Sequence, residues 1–374
     1  MKKPKEHKWR KKLLVFLFIL LNVGVILWTA LSEFSDSENA ERLSNIEIKW
    51  YLLIPACILF IIAIISEVYR YILMMQKTCH KTDWKLARRT ILIGRYYDNI
   101  TPAAIGGQPF QIYYMNKGGM PSGYSTVIPI IGMVSGQIGF IVVAIISFLF
   151  GSFTINNAAL VAAGTFGLLF YAFWPIAIIV ATFLPKTTAE FITLGVKLLS
   201  KLHIIKDCNA AIKKAEKGVN EYARCVRTIL RTKGLFFKTI VLGIFYHLLI
   251  CSIPFFVISA FGGGIDFVPC FVTTVAVTSA VYFIPTPGNA GAAEGTFFIV
   301  FSALSSGYVF WAMLVWRFFS YYIYIIMGLI VYARMYLEKN GQNNIFSEWS
   351  KKVSDFFIWL FGIEKNTKTD KKDN

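Results

Sequence analysis

The sequence lacks the motifs by which most enzymes and pumps announce themselves. It contains no G-x-x-x-x-G-K-[ST] phosphate loop, no H-E-x-x-H and no G-x-S-x-G, which withdraws support from ATP-driven pumping and from the common hydrolytic chemistries. Its six cysteines, Cys57, Cys79, Cys208, Cys225, Cys251 and Cys270, form no C-x-x-C pair, and most fall in apolar or predicted cytoplasmic segments. Neither a disulfide framework nor a zinc site is indicated. The four histidines, His7, His80, His203 and His247, stand too far apart to suggest a metal cluster. His247 falls within an apolar run, where a hydrogen-bonded packing role suits it better than ligation. No catalytic constellation, metal or cofactor is therefore expected.

What the chain has instead is apolar length. Hydrophobic residues make up 56% of its 374 positions and aromatics 16%, with a mean hydropathy of +0.57, and they gather in runs too long for the core helices of a soluble domain. This is the composition of an integral membrane protein. The first run, Leu13 to Leu31, is long enough to cross a hydrocarbon layer of roughly 30 Å, which takes about 20 helical residues. Its basic prelude "MKKPKEHKWRKK" is compatible with a signal peptide. The run exceeds the usual signal core, however, and no clean small-x-small site follows, so an uncleaved anchor is expected.

The net charge of +17 does not point to nucleic acid, because the basic residues lie on alternate loops between apolar runs rather than on one soluble face. They act as topology signals. The N-terminus is basic, "SEFSDSENAERLSNIEIK" is largely acidic, and "QKTCHKTDWKLARR" is basic again. Both termini are therefore expected in the cytoplasm of a multi-pass cell-membrane protein, with the acidic loop outside. A second span is expected from about Trp50 to Met75, a hairpin of spans over Ser125 to Phe150 and Ala158 to Leu184, an outward span over Leu235 to Phe261, and a last inward span over Tyr308 to Tyr332. The intervening segment 265–305 must then enter and leave from one side, as a re-entrant pair of half-helices.

Two polar stretches flank these spans. In 186–233, Val219, Tyr222, Val226 and Ile229 recur at helical spacing, and Lys213, Lys217, Arg224, Arg227 and Arg231 mark another face. Two readings are open there: a basic amphipathic helix on anionic inner-leaflet lipids, or a solvated connector that obeys the positive-inside rule. Near the end, Phe346, Trp349, Val353, Phe356 and Leu360 suggest an interfacial helix, followed by a Lys-rich tail. The domain division is a transmembrane domain over 1–336, which includes 186–233, and this cytoplasmic appendage over 337–374.

The breaks within the apolar regions are more informative. "YFIPTPGNAGAAEGTF" places Pro285, Pro287, Gly288, Gly291 and Glu294 inside apolar surroundings, and "DNITPAAIGGQPFQ" does the same with Thr101, Pro102, Gly106, Gly107, Gln108 and Gln111. Thr101-Pro102 and Thr286-Pro287 are each followed by a glycine in the pattern T-P-x-x-x-G. One copy is approached from the cytoplasm and the other from outside, as in an inverted repeat. Pairs of Gly/Pro-interrupted segments in corresponding halves point to a transport site. Half-helix ends exposed there offer free N–H groups to an anionic headgroup, and glycines permit close approach. The alternative is that both breaks are kinks that help helices pack.

Charges in apolar segments add candidates. Arg317 suits phosphate, because its guanidinium is a planar fork that keeps its charge. Glu294 can pair with Arg317 at rest, or take a cationic headgroup or a proton. Gln108, Gln111 and Gln137 would supply neutral hydrogen bonds or packing contacts between helices. Glu67 and Arg70 lie in the inner half of the second span, where snorkelling to the interface is the stronger expectation.

At "NITPAAIGGQPFQ", "IPTPGNAGAAEG" and Arg317 in "VWRFF", the sequence resembles the lysylphosphatidylglycerol synthase transmembrane-region family, also described as flippase-like. The resemblance runs from the first helix to about Tyr336. It implies a membrane part that flips an aminoacylated lipid, which in longer members a soluble domain makes by transferring lysine from tRNA to phosphatidylglycerol. Many relatives carry Glu after the Gly-Gly pair and Arg three residues later; Gln108 and Gln111 stand in those places here, so those two charges do not carry over. About 40 residues follow the last span, too few for the transferase domain, and lysyl transfer by this chain alone is not expected. Two readings follow. One is a translocase in a bacterial cell membrane that moves an aminoacylated or other membrane phospholipid, or a polyprenyl-phosphate-linked lipid, between leaflets. The other is a phosphatidylglycerol lysyltransferase-type enzyme, or the membrane partner of a separate soluble transferase, in lipid modification and resistance to cationic peptide antibiotics. The expected fold is all-α: a polytopic integral membrane helical bundle with two re-entrant, Pro/Gly-broken segments in an inverted repeat.

Overall fold

The computed structural model describes residues 48–101, 106–151, 157–184, 208–232, 234–282, 286–304 and 309–338, with a few isolated positions besides. The first expected span, Pro102, Pro285 and the 337–374 appendage lie outside or almost wholly outside the described residues.

The described chain is all helix, with no strand. Five of its helices are long and apolar enough to cross a bilayer, namely Trp50–Cys79, Ser122–Gly151, Ala158–Val180, Leu235–Ala260 and Val309–Met335. The protein is a polytopic membrane bundle. In chain order the elements are α1 (Leu53–Cys79), α2 (Trp84–Ile100), α3 (Gly107–Lys117), α4 (Ser122–Gly151), α5 (Ala158–Phe183), α6 (Cys208–Arg231), α7 (Leu235–Ala260), α8 (Phe267–Val281), α9 (Ala292–Ser302), α10 (Val309–Arg317) and α11 (Ile323–Glu338). A single π turn, Phe318–Tyr322, joins the last two.

The order repeats. A long helix (α1), a short pair (α2 and α3) and a long helix (α4) are followed, after α5 and α6, by a long helix (α7), a short pair (α8 and α9) and the α10–α11 rod. Each short pair is one of the two broken segments. The long helices that open the two halves, α1 and α7, pack extensively on one another.

One helix was not foreseen. "QKTCHKTDWKLARR" reads as a basic loop, yet α2 begins inside it. Asp83 caps the new helix by accepting from the Leu86 N–H at 2.8 Å, and Leu86, Ala87, Thr90 and Ile91 form a buried face at i, i+1, i+4, i+5 spacing. The cap and the apolar face outweigh the local charge.

Packing separates an inner surface from an outer one. On α1, Ile54, Ile58, Ile61, Ile65 and Tyr69 form an exposed stripe, and α5 exposes Phe166, Leu169, Phe173, Ile176 and Val180. Stripes of this size in water mark an aggregation hazard, and against lipid they are the expected surface. Inside, small residues bring helices together. A side chain on Gly139 of α4 would strike the Gly243 backbone of α7, and one on Gly243 would strike the Ser135 carbonyl. The aromatic core of the second half, with Phe297 stacked on Trp316 at 4.5 Å, fixes α9 against α10.

The amphipathic pattern of 186–233 is realised in α6, but its apolar side covers protein. Val226 and Ile229 are buried in the main core and Tyr222 is half-buried against it, whereas Arg224, Arg227 and Arg231 are exposed. The Val219 side chain lies outside the described set. Neither a free interfacial helix nor a solvated connector describes this element: its apolar face docks on α4 and α5, and only its basic face remains open.

Candidate functional site

The first break follows α2. Thr101 Oγ1 donates to the Tyr97 carbonyl at 2.6 Å and accepts from the Gly106 N–H at 3.0 Å. Asp98 Oδ1 accepts from the Gly107 N–H at 3.0 Å. The first N–H groups of any helix lack an intrahelical partner, and a carboxylate also suits the positive end of α3. Gly106 and Gly107 are required by closeness, since a Cβ at either would collide with Thr101 or with the Asp98 carboxylate. The rings of Tyr97 and Phe110 stack at 3.4 Å and clamp α2 to α3. Gln111 is buried beside Gly94, with Tyr71 donating to its Oε1 at 3.1 Å. Gln108 is half-buried at the start of α3.

The second break follows α8. Pro287–Asn289 make one 3-10 turn, with Gly288 at φ 58°, and Gly291 enters α9 at φ 85°. Positive φ favours glycine. Thr286 Oγ1 donates to the Ala290 carbonyl at 3.0 Å. Glu294 Oε2 accepts from the Gly291 N–H at 2.7 Å, and its Oε1 accepts from Arg317 Nε at 2.7 Å. Arg317 Nη2 donates to the Gly288 carbonyl at 3.3 Å, and its guanidinium lies 4.8 Å from the centre of the Tyr321 ring. One ion pair thus ties the broken segment to the last span, and both partners are buried.

The second break packs against the helix that leads into the first. The Pro287–Asn289 turn packs on α2, and a Cβ on Gly288 would lie against the Tyr321 ring and 3.2 Å from Asn99 Oδ1. The end of α2, which leads into Thr101, is therefore brought against the turn whose Gly288 carbonyl is held by Arg317, although the two lie on remote parts of the sequence. Of the half-helix N–H groups expected to be free, two are held by the chain itself: that of Gly107 by Asp98 and that of Gly291 by Glu294.

Glu67 and Arg70 do not snorkel. Both are buried, because Glu67 is gripped from α2 by Arg95, with Nη2 at 2.6 Å and Nε at 3.2 Å. Arg70 Nη2 donates to the same carboxylate at 3.3 Å. Arg95 gives Glu67 a cation inside the bundle, and the Glu67 carboxylate in turn gives Arg70 an anion there. Gln137 is buried, and its Oε1 accepts no hydrogen bond among the described residues. His247 packs between Phe140 and Tyr246, each ring centroid 5.0 Å away.

Arg95, Asp98, Asn99 and Tyr321 also lie at these breaks and are candidate residues that the sequence alone does not single out. A signal existed in "GRYYDN", which sets polar groups at i, i+3 and i+4 immediately before a break. It went unweighed because the segment is too polar to register as a span.

Comparison with known proteins adds one finding. Neither a curated protein nor a solved structure matches the chain. The family profile described as the lysylphosphatidylglycerol synthase TM region matches residues 12–328, a stretch that takes in both breaks, Glu67, Arg95, Glu294 and Arg317. The chain belongs to the lysylphosphatidylglycerol synthase transmembrane-region family.

Proposed function

We propose that the protein is a lipid translocase that moves a phosphate-bearing lipid between leaflets, with the two facing breaks as its headgroup site. The observation that carries this reading is the apposition of the breaks: two helix–break–helix units in corresponding places of the chain pack turn against helix, with charged residues buried around them. Irregular backbone at membrane depth is tolerated only where protein or a water-filled cavity surrounds it, and paired interruptions of this kind accompany transport sites. Thr101, Gly106, Gly107, Gln108 and Gln111 form one wall of the site. Pro287, Gly288, Gly291, Glu294 and Arg317 form the other, and Pro102 and Pro285 belong to the same two motifs. A headgroup phosphate reaches the glycine N–H groups by displacing Asp98 or Glu294, so binding is coupled to rearrangement of the breaks.

The family suggests an aminoacylated phospholipid or another lipid-linked phosphate as cargo, supplied by a separate transferase. The positive-inside rule places both termini in the cytoplasm, and the exposed arginines of α6 then face the anionic inner leaflet.

The test is leaflet redistribution in proteoliposomes containing the purified protein, read by dithionite quenching of fluorescent phosphatidylglycerol, its lysyl form and a polyprenyl phosphate. Redistribution of one lipid that Arg317→Ala and Glu294→Gln abolish, in variants that still insert, supports the reading. Full transport in both variants removes the proposed site. No redistribution of any of the three, under imposed proton and sodium gradients, replaces transport with the role of a transferase's membrane partner.

A further inference from the structure

The cluster around Glu67 holds an imbalance that packing alone does not explain. One carboxylate serves two guanidinium groups, Arg95 through the short bidentate contact and Arg70 through a single contact of 3.3 Å. The remaining donors of Arg70, Nε and Nη1, are buried and find no hydrogen-bond partner among the described residues. Its Nη1 is wedged where α4 and α7 cross, against Gly136 and Gly243, at positions where a side chain would block it. A buried guanidinium with idle donors is costly to keep, so a role beyond the resting contact is worth seeking.

The two arginines differ in access. The Arg95 side chain is 30% exposed and that of Arg70 only 4%. Arg95 also lies one helical turn before Asp98 and Asn99 at the first break, with Asn99 Nδ2 donating to its carbonyl at 2.8 Å. The rings of Tyr246 and Tyr324 stand 5.2 and 5.8 Å from its guanidinium, and their hydroxyls are hydrogen-bonded to each other at 3.1 Å. This aromatic bracket holds the cation by its faces and leaves its N–H edge to Glu67. The pair at the second break is built differently: Arg317 is 4% exposed, and among the described residues no second guanidinium reaches Glu294.

We propose that Arg95 binds the phosphate of the translocated lipid by exchanging Glu67 for it, and that Arg70 is the reserve cation that holds Glu67 during the exchange. The proposal rests on the translocase reading and assigns the headgroup contact to a residue outside both sequence motifs. In the resting state Arg95 is clamped and Arg70 is half-used. When a phosphate oxygen pair takes the fork of Arg95, the Glu67 carboxylate turns to the idle Nε of Arg70, on the same edge as the Nη2 it already holds. Two anions then face two cations, and neither the carboxylate nor a guanidinium is left buried and unmatched. Arg317 has no such reserve and remains the strut between α9 and α10.

Calorimetric titration of the full-length protein in detergent tests this, with dihexanoylphosphatidylglycerol as the probe and inorganic phosphate in a parallel arm to separate a lipid headgroup from a free anion. Arg95→Gln is expected to weaken binding of the lipid probe at least tenfold. Arg70→Met should weaken it severalfold, because Glu67 then has no second partner. Glu67→Gln should tighten binding severalfold by leaving Arg95 unclamped, and should have no effect in the Arg95→Gln background. Thermal unfolding without ligand identifies which variants are folded. The gain in Glu67→Gln is an outcome that a purely structural ion pair would not produce; unchanged or weaker binding by that folded variant overturns the exchange. Wild-type affinity in Arg95→Gln, with loss in Arg317→Gln, overturns the assignment and leaves the translocase reading intact. Equal response to inorganic phosphate would identify a free-anion site instead of a lipid one. If the unaltered protein binds neither probe yet redistributes a lipid in vesicles, the Arg95 proposal fails alone; if it does neither, both readings fail.

Discussion

Glu294 carries two loads on one carboxylate. Its Oε2 caps α9 through the Gly291 N–H and its Oε1 receives Arg317, so the shape of the second break and the position of the last span depend on the same side chain. Removing one member of a buried pair leaves an uncompensated charge, which costs about 3–5 kcal/mol. Arg317→Met should therefore destabilise the protein by roughly that amount, read as loss of unfolding free energy in detergent, and the double variant Glu294→Gln, Arg317→Met should recover part of it. Gly288 has a different constraint. Its φ of 58° and the Tyr321 ring beside it predict a loss of about 1–2 kcal/mol for Gly288→Ala from backbone strain alone, with a lower unfolding temperature and slower lipid redistribution. At this scale the sequence was partly legible. Glu294 and Arg317 stand out as rare charges among apolar residues, and their pairing is what the structure contains. Arg95 and Asp98 escaped notice because their neighbours are themselves polar, and because an ion pair to Glu67, 28 positions away, leaves no local mark.

Among the elements, α4 and α7 cross in close backbone contact. Ser135, Gly136, Gly139 and Gly243 bring the two backbones together, in the manner of small-residue interfaces between membrane helices. Gly139→Val forces them apart and is expected to cost about 1–3 kcal/mol, measured by denaturant unfolding. Gly264 has open space around its would-be Cβ, so Gly264→Ala should stay within about 0.5 kcal/mol of the unaltered protein. Helix existence followed from run length and periodicity for the long spans and for α6, since both are properties of neighbouring residues. What covers the apolar face of α6 did not follow, because a helix with that pattern is satisfied equally by lipid or by α4 and α5. The start of α2 was hidden for a related reason: Asp83 acts as a cap only if the residues after it are helical, and charge density argued the other way.

Across the whole molecule, the distribution of Lys and Arg predicts orientation. A cysteine placed at Gly264, in the loop between α7 and α8, should react with an impermeant maleimide added to intact cells, whereas one placed at Asn374 should react only after permeabilisation. The opposite labelling pattern would reverse the topology. By itself, the sequence determined that this chain crosses a membrane several times as helices, that two segments interrupt those helices, and that glycine, proline and a few charges gather at the interruptions. These follow from composition, run length and short motifs, which act over one helical turn or one span. Tertiary structure decided that the second break packs on the helix leading into the first, that Asp98 and Glu294 cap the helices after the two breaks, and that Glu67 is shared between Arg95 and Arg70. Those outcomes depend on side chains remote in sequence finding one another in a low-dielectric interior, where an unpaired charge is expensive enough to select the packing and yet leaves no periodic trace along the chain.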